Sequence, residues 1–270
     1  SRGLGDVYKR QYMRNSKWQY LLASVVSSIL AMGCKEQSVI IVPCLLLFDW
    51  MLFKRNMRSL KVYIEKVYYL IPAIAIFIVT LVANKNTGEE IIGYTIVDRF
   101  IFLCYSSFKY LLISAIPFKL SYLYPFPFQV GEKIPMALWI YPFVILFIGY
   151  VIYLNRRKPL LVFCTLFFIL HLLPVLHVIP LPRYVVAADR YLYIPYIAFA
   201  IGLSILSYHL YERQRKWILY AGFLYCSYLC VYTAGYAPAW KNSDTLKEHF
   251  KEVLKKRETN LSINFKHEKQ

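Results

Sequence analysis

Acidic residues are scarce in this chain. Asp and Glu number 15 against 32 Lys and Arg, giving a formal net charge of +17, and charged residues make up only 17% of the 270 positions. A soluble globular domain carries about 25% charge and about 45–50% apolar residues. Here 59% of residues are hydrophobic and mean hydropathy is +0.44, which excludes an ordinary water-soluble domain. Also missing are a GxxxxGK phosphate loop, GxGxxG, HExxH and GxSxG, so soluble nucleotide-driven chemistry has no support. There is no CxxC pair. Most of the six cysteines (34, 44, 104, 164, 226 and 230) lie in apolar stretches, where Cys acts as a small apolar residue, and no metal or disulfide framework is read from them. No internal repeat is visible. The first residues, SRGLGDVYKRQ (1–11), have no apolar core and are no signal peptide; they read as a translated adaptor, not a native leader.

What is present is a series of apolar runs. Seven come near the roughly 17–25 residues that cross a bilayer: 18–34, 38–53, 67–84, 136–154, 159–179, 191–211 and 217–236. The expected fold class is an all-α polytopic membrane protein of about seven transmembrane helices. Its basic residues fall in short clusters between these runs, not on one continuous face, so nucleic acid is not the expected partner. Lys54, Arg55, Arg58, Lys61 and Lys66 follow the second run, Arg156, Arg157 and Lys158 the fourth, and Arg213, Arg215 and Lys216 the sixth. Basic loops stay in the cytoplasm, so all three clusters are assigned there. The opposite loops, with Lys35-Glu36, Glu89-Glu90 and Asp189-Arg190, are then outside.

The segment 100–118 is apolar but carries Lys109 near its centre and ends at Pro117. Counting it as a span would put Arg156–Lys158 on the side of Glu89-Glu90. It is therefore expected to be an amphipathic or re-entrant piece at the outer interface. The long loop 84–135 also holds Tyr122-Leu-Tyr-Pro-Phe-Pro-Phe128, too aromatic for disorder and expected to pack near the headgroups. From Lys241 the chain changes character. Leu246, Phe250, Val253 and Leu254 share a helical face, with Ser243 or Asp244 as the expected cap. The expected division is 1–11 leader, 12–240 transmembrane domain, and 241–270 helical tail.

Charge beside an apolar run is costly and so marks candidate sites. Asp189-Arg190 stand at the lip of the sixth run, where they either pair, anchor the helix or form a site. Arg offers a planar fork suited to phosphate. Lys35-Glu36 are either loop charges or a lipid-phosphate contact tuned by Glu36. Asp49, beside Trp50, is either a helix-end charge or a functional carboxylate. His171 and His177 are about 240° apart around a helix and share no face; they are interfacial polar groups or take a phosphate or proton-transfer role.

Three stretches recur together in order: Lys35-Glu-Gln-Ser-Val-Ile-Ile-Val-Pro-Cys-Leu-Leu-Leu-Phe-Asp-Trp50, Ala188-Asp-Arg-Tyr-Leu-Tyr-Ile-Pro195 and Trp240-Lys-Asn-Ser-Asp-Thr-Leu246. With apolar runs between, the set resembles the membrane domain of the tetratricopeptide-repeat transmembrane O-mannosyltransferase family, whose animal members act on cadherins, and of its bacterial relatives. The resemblance covers roughly 18–255. It implies a C-type glycosyltransferase fold that takes sugar from a polyprenyl-phosphate carrier on the outer or lumenal face, with repeats following the last span on that face. The sidedness from charge counting agrees. In that fold the catalytic carboxylate lies in the first outer loop. Residues 1–34 hold no acidic pair, and Asp6 falls in the leader-like segment, so this residue is expected upstream in a longer protein.

The resulting expectation is part of an integral-membrane glycosyltransferase moving a sugar to a protein or glycan hydroxyl. Arg190 is the first donor-phosphate ligand and Lys35 the second, with Glu36, Asp189 and His177 in support. Tyr122, Tyr124 and Phe126 line the substrate groove. No tightly bound cofactor is expected, the lipid-linked sugar is the donor, and a divalent metal stays open. The location is a bacterial inner membrane with a periplasmic tail, or an ER membrane with a lumenal one. The alternatives are an O-antigen polymerase or ligase, and a transporter or membrane scaffold. A transporter keeps its ionisable groups near the midplane, whereas here they cluster at span ends, Lys109 apart.

Overall fold

The computed structural model describes residues 18–83, 93–118, 120–177, 185–248 and 251. The 1–11 leader, Glu89-Glu90, the side chain of Glu36, and Phe250, Val253 and Leu254 of the tail lie outside the described residues. Among the described residues the chain is all-helical. Its α-helices are α1 (Trp18–Cys34), α2 (Ile41–Met51), α3 (Leu60–Ala83), α4 (Ile96–Ala115), α5 (Ile140–Leu154), α6 (Pro159–Leu172), α7 (Pro195–Arg213) and α8 (Arg215–Tyr236). Short 3-10 turns precede α2 (Glu36–Ile40) and α5 (Met136–Trp139), extend α6 (Leu173–Val175), lead toward α7 (Asp189–Leu192) and follow α8 (Ala237–Trp240).

Three helical stretches are long and apolar enough to cross a membrane: Leu60–Thr80, Met136–Leu154 and Arg215–Trp240. Trp18–Cys34, Ser38–Met51 and Pro159–Val175 are apolar but shorter. The sixth expected run starts differently. Its first residues form the 3-10 turn at Asp189–Leu192, and the α-helix begins only at Pro195, whose fixed φ suits a helix start. Residues 100–115 of that segment belong to one unbroken 20-residue helix, α4 (Ile96–Ala115), opened by a capping box between Thr95 and Asp98. One face of it is buried, through Ile101, Phe102, Tyr110 and Ile113.

The chain forms two compact units. The first comprises 1–93 and 150–182. Here α1 presents a stripe of small residues, Ser24, Ser27, Ser28 and Ala31, all buried. Small side chains let helices approach closely where lipid supplies no hydrophobic drive. Ser27 and Ser28 return their hydroxyls to the carbonyls four residues back, both at 2.8 Å. The hydroxyl of Tyr69 on α3 donates to Ser24 Oγ at 2.9 Å. Met32, Ile41, Leu45, Tyr69 and Ala73 form the apolar centre, and Phe48 on α2 meets Phe163 and Phe167 on α6 at 6.0 Å.

The α2–α3 turn departs from the expected basic loop. Helix α3 begins at Leu60, so Lys61 and Lys66 are helical. Asp49 is 1% exposed, and Lys66 donates to its Oδ2. Arg55 Nη1 lies 3.5 Å from the same oxygen, and its fork grips Glu65 at 2.8 and 3.0 Å. Lys54 takes a left-handed φ of 47°, and the Arg55 amide donates to the Asp49 carbonyl at 3.0 Å. Asp49 is thus a buried ion-pair partner and not a headgroup charge, and Lys66 is a helical residue paired with it, not a loop cation.

The second unit comprises 94–149 and 183–270. After α4 the chain leaves helical form, and α8 covers the exposed backbone with tyrosines. Tyr225 and Tyr228 donate to the carbonyls of Ala115 and Pro117 at 2.8 and 2.6 Å. The amide of Leu120 donates to Tyr232 Oη at 2.9 Å. Positions 225, 228, 232 and 236 make one stripe on the helix. Backbone polar groups outside a helix need partners of their own, and these hydroxyls supply them here. Beyond Trp240, residues 243–248 are helical. The cap is Asn242, not Ser243 or Asp244: its Oδ1 accepts from the amides of Asp244 (3.1 Å) and Thr245 (2.8 Å), the second and third helical positions an N-cap oxygen reaches.

Candidate functional site

The second unit assembles the Asp189-Arg190 step from three elements, the 121–128 loop, α4 and α8. The backbone of Tyr124 forms an antiparallel bridge with the 186–187 segment: its amide donates to Ala187 O and the Val186 amide to Tyr124 O, both at 2.9 Å. Residues 185–188 are buried, and the small Ala187-Ala188 pair permits this close approach. The Ala188 amide donates to Tyr110 Oη of α4 at 3.1 Å. The backbone entering the 3-10 turn is therefore fixed by the 121–128 loop and by α4 before any charged side chain is reached.

Asp189 is half-buried. The Tyr124 hydroxyl donates to its Oδ1 at 2.7 Å and the Tyr236 hydroxyl to its Oδ2 at 3.4 Å. Burial raises its pKa from 3.8 to about 6, against the opposing hydrogen bonds of Tyr124, Ser121 and Tyr236 and the nearby charge of Lys109. Burial, and then the Asp189 charge, likewise raises the Tyr124 phenol. Lys109 lies 3.6 Å from the centroid of the Tyr124 ring and 3.5 Å from Tyr105 Oη.

Arg190 faces the other way. It is exposed, with its guanidinium 4.9 Å from the centroid of Tyr122 and 5.2 Å from that of Tyr191. Its Nη2 lies 3.4 Å from Tyr191 Oη. Asp189 and Arg190 do not pair with each other, because the carboxylate is spent on tyrosine hydroxyls. Among the described residues no carboxylate forms a salt bridge with Arg190. An aromatic-backed guanidinium with open donors suits an anionic oxygen, and Arg–phosphate contacts are commonly two-pronged.

Of the residues singled out from sequence, Arg190, Asp189, Tyr122 and Tyr124 come together. Phe126 joins a separate aromatic cluster, 5.3 Å from Tyr94 and 5.0 Å from Phe102. Lys35 and His177 belong to the first unit. Lys35 is exposed and heads the 3-10 turn at 36–40. His177 is buried, with a left-handed φ of 59°. His171 stacks on Phe167 at 4.0 Å, with Nδ1 2.9 Å from the Phe167 carbonyl and Cys44 Sγ 3.8 Å from Nε2.

Lys109, Tyr110 and Tyr236 were missed as members of the site. A signal existed for Lys109, a lone cation within an apolar run, and for Tyr236, the last of four tyrosines at helical spacing. Comparison of the chain with protein-family models, curated proteins and solved structures finds no match. Among the described residues the fold is all-helical, with three helices long and apolar enough to cross a membrane, and Arg190 is exposed against tyrosine rings without a carboxylate salt bridge.

Proposed function

We propose that this chain is part of an integral-membrane glycosyltransferase, and that Arg190 binds the phosphate of a polyprenyl-phosphate-linked sugar. The observation that carries the reading is the Arg190 guanidinium, held by tyrosine rings and unmatched by any carboxylate among the described residues. When the sugar leaves, negative charge grows on the carrier phosphate, and a fixed cation stabilises it. Asp189, anchored by Tyr124 and Tyr236, positions the turn that presents Arg190. The order of the three sequence stretches and the charge pattern of the loops support a seven-span C-type arrangement, with site and tail on the outer face. The acceptor is a protein or glycan hydroxyl.

In the intact protein, Arg190→Ala is expected to abolish hexosyl transfer while membrane insertion stays normal. Near-normal transfer by that variant removes Arg190 from the site.

A further inference from the structure

Trp240 belongs to a stretch singled out in the sequence, yet the phosphate reading gives it no work. It ends the 3-10 turn that closes α8, and Pro238 restricts that turn. Its indole packs edge-to-face on Tyr122, with centroids 5.7 Å apart at 79°, and on Tyr236, at 6.4 Å and 83°. Tyr122 is the ring over which Arg190 lies, and Tyr236 is the ring whose hydroxyl reaches Asp189. Two edge-on contacts hold the indole, and 45% of the residue remains exposed. A rigid, half-open aromatic surface thus stands one ring away from the guanidinium.

We infer that Trp240, braced by Tyr122 and Tyr236, forms a stacking ledge for the sugar ring of the lipid-linked donor. The inference rests on Arg190 holding the adjoining phosphate. In a hexosyl phosphodiester the ring carbon is bonded directly to a phosphate oxygen, so a phosphate on Arg190 brings the sugar next to whatever adjoins that cation. The apolar C–H face of a hexose matches an aromatic face, while its hydroxyls stay free for water or polar groups. The indole is prepositioned by these neighbours, so little ordering cost opposes binding.

The test compares two probes on the full chain in nanodiscs: farnesyl phosphate, which has no sugar, and farnesyl phosphoryl-mannose. Trp240→Ala is expected to weaken the sugar ester about fivefold, the order that an aromatic contact contributes, and to leave farnesyl phosphate unchanged. Trp240→Phe keeps an aromatic face and is expected to restore most of the loss. Equal weakening of both probes by Trp240→Ala overturns the ledge, since it assigns Trp240 to fold support or interfacial anchoring. So does a Trp240→Ala variant that binds both probes normally while Arg190→Ala binds them weakly. Wild-type protein that binds neither probe overturns the phosphate reading, and the ledge with it.

Discussion

Replacing Asp49 by Ala strands Lys66, which is 4% exposed, without its carboxylate. Both Lys66 and Arg55 converge on the one oxygen Oδ2. Arg55 keeps its two-pronged hold on Glu65, so the loss falls mainly on Lys66. Removing one partner of a buried ion pair costs about 3–5 kcal/mol, because the other charge stays buried. In a protein of this size that corresponds to a Tm drop of roughly 10 °C. Replacing both partners by apolar residues of similar volume is often neutral or stabilising. Asp49→Leu with Lys66→Met is therefore expected to unfold within about 1 kcal/mol of wild type, while Asp49→Ala alone shows the full loss. The assay is thermal or denaturant unfolding in a mild detergent, read as a double-mutant cycle. A single Asp49→Ala variant within about 0.5 kcal/mol of wild type would refute the argument, as it would mean that Lys66 is hydrated and the pair contributes nothing.

The tyrosine stripe of α8 makes a second prediction. Tyr232→Phe leaves the Leu120 amide without its acceptor, at a cost of about 1–2 kcal/mol. Tyr220→Phe, at an exposed position on the same helix, should leave the melting temperature unchanged; identical curves for the two variants would discard the stripe. Asp189 predicts a pH dependence. Its pKa of about 6 lies above the ordinary 3.8, so its contribution to folding is full below pH ~4 and is lost as pH rises through 6. The same ionisation places negative charge between Arg190 and the Lys109 side of the site. Lowering pH from 7 to 5 should strengthen phosphodiester binding roughly two- to fourfold, and Asp189→Asn should flatten that profile. A wild-type profile without slope between pH 5 and 7 would contradict the geometry around Asp189.

The helical class and most segment boundaries were legible because apolar runs in a bilayer have one local solution, the helix. Run length alone misplaced the start of α3. A cation such as Lys66 reads as a loop charge until its partner Asp49, 17 positions earlier, is known to face it. The same limit applied to Lys109, which looked out of place within an apolar run. Its setting depends on Tyr124, delivered by a loop whose path is fixed by backbone hydrogen bonds to 186–187 and by tyrosines of α8. Arg190 was legible as costly charge beside a span. That it is not paired with Asp189 was not, because adjacent residues in sequence need not face one another in a 3-10 turn. The Asn242 cap was missed by one or two residues, within the usual uncertainty of a helix end.

The central claim is that Arg190 binds a carrier phosphate, and a binding titration tests it most directly. Farnesyl phosphoryl-mannose is titrated into nanodiscs holding wild-type protein, Arg190→Lys or Arg190→Ala at fixed pH and low salt. A hydrogen bond to a charged group contributes about 1.5–3 kcal/mol, so Arg190→Ala should weaken binding by roughly 10- to 100-fold, with Arg190→Lys between it and wild type. Equal affinity of wild type and Arg190→Ala, with both folded and inserted, would contradict the account.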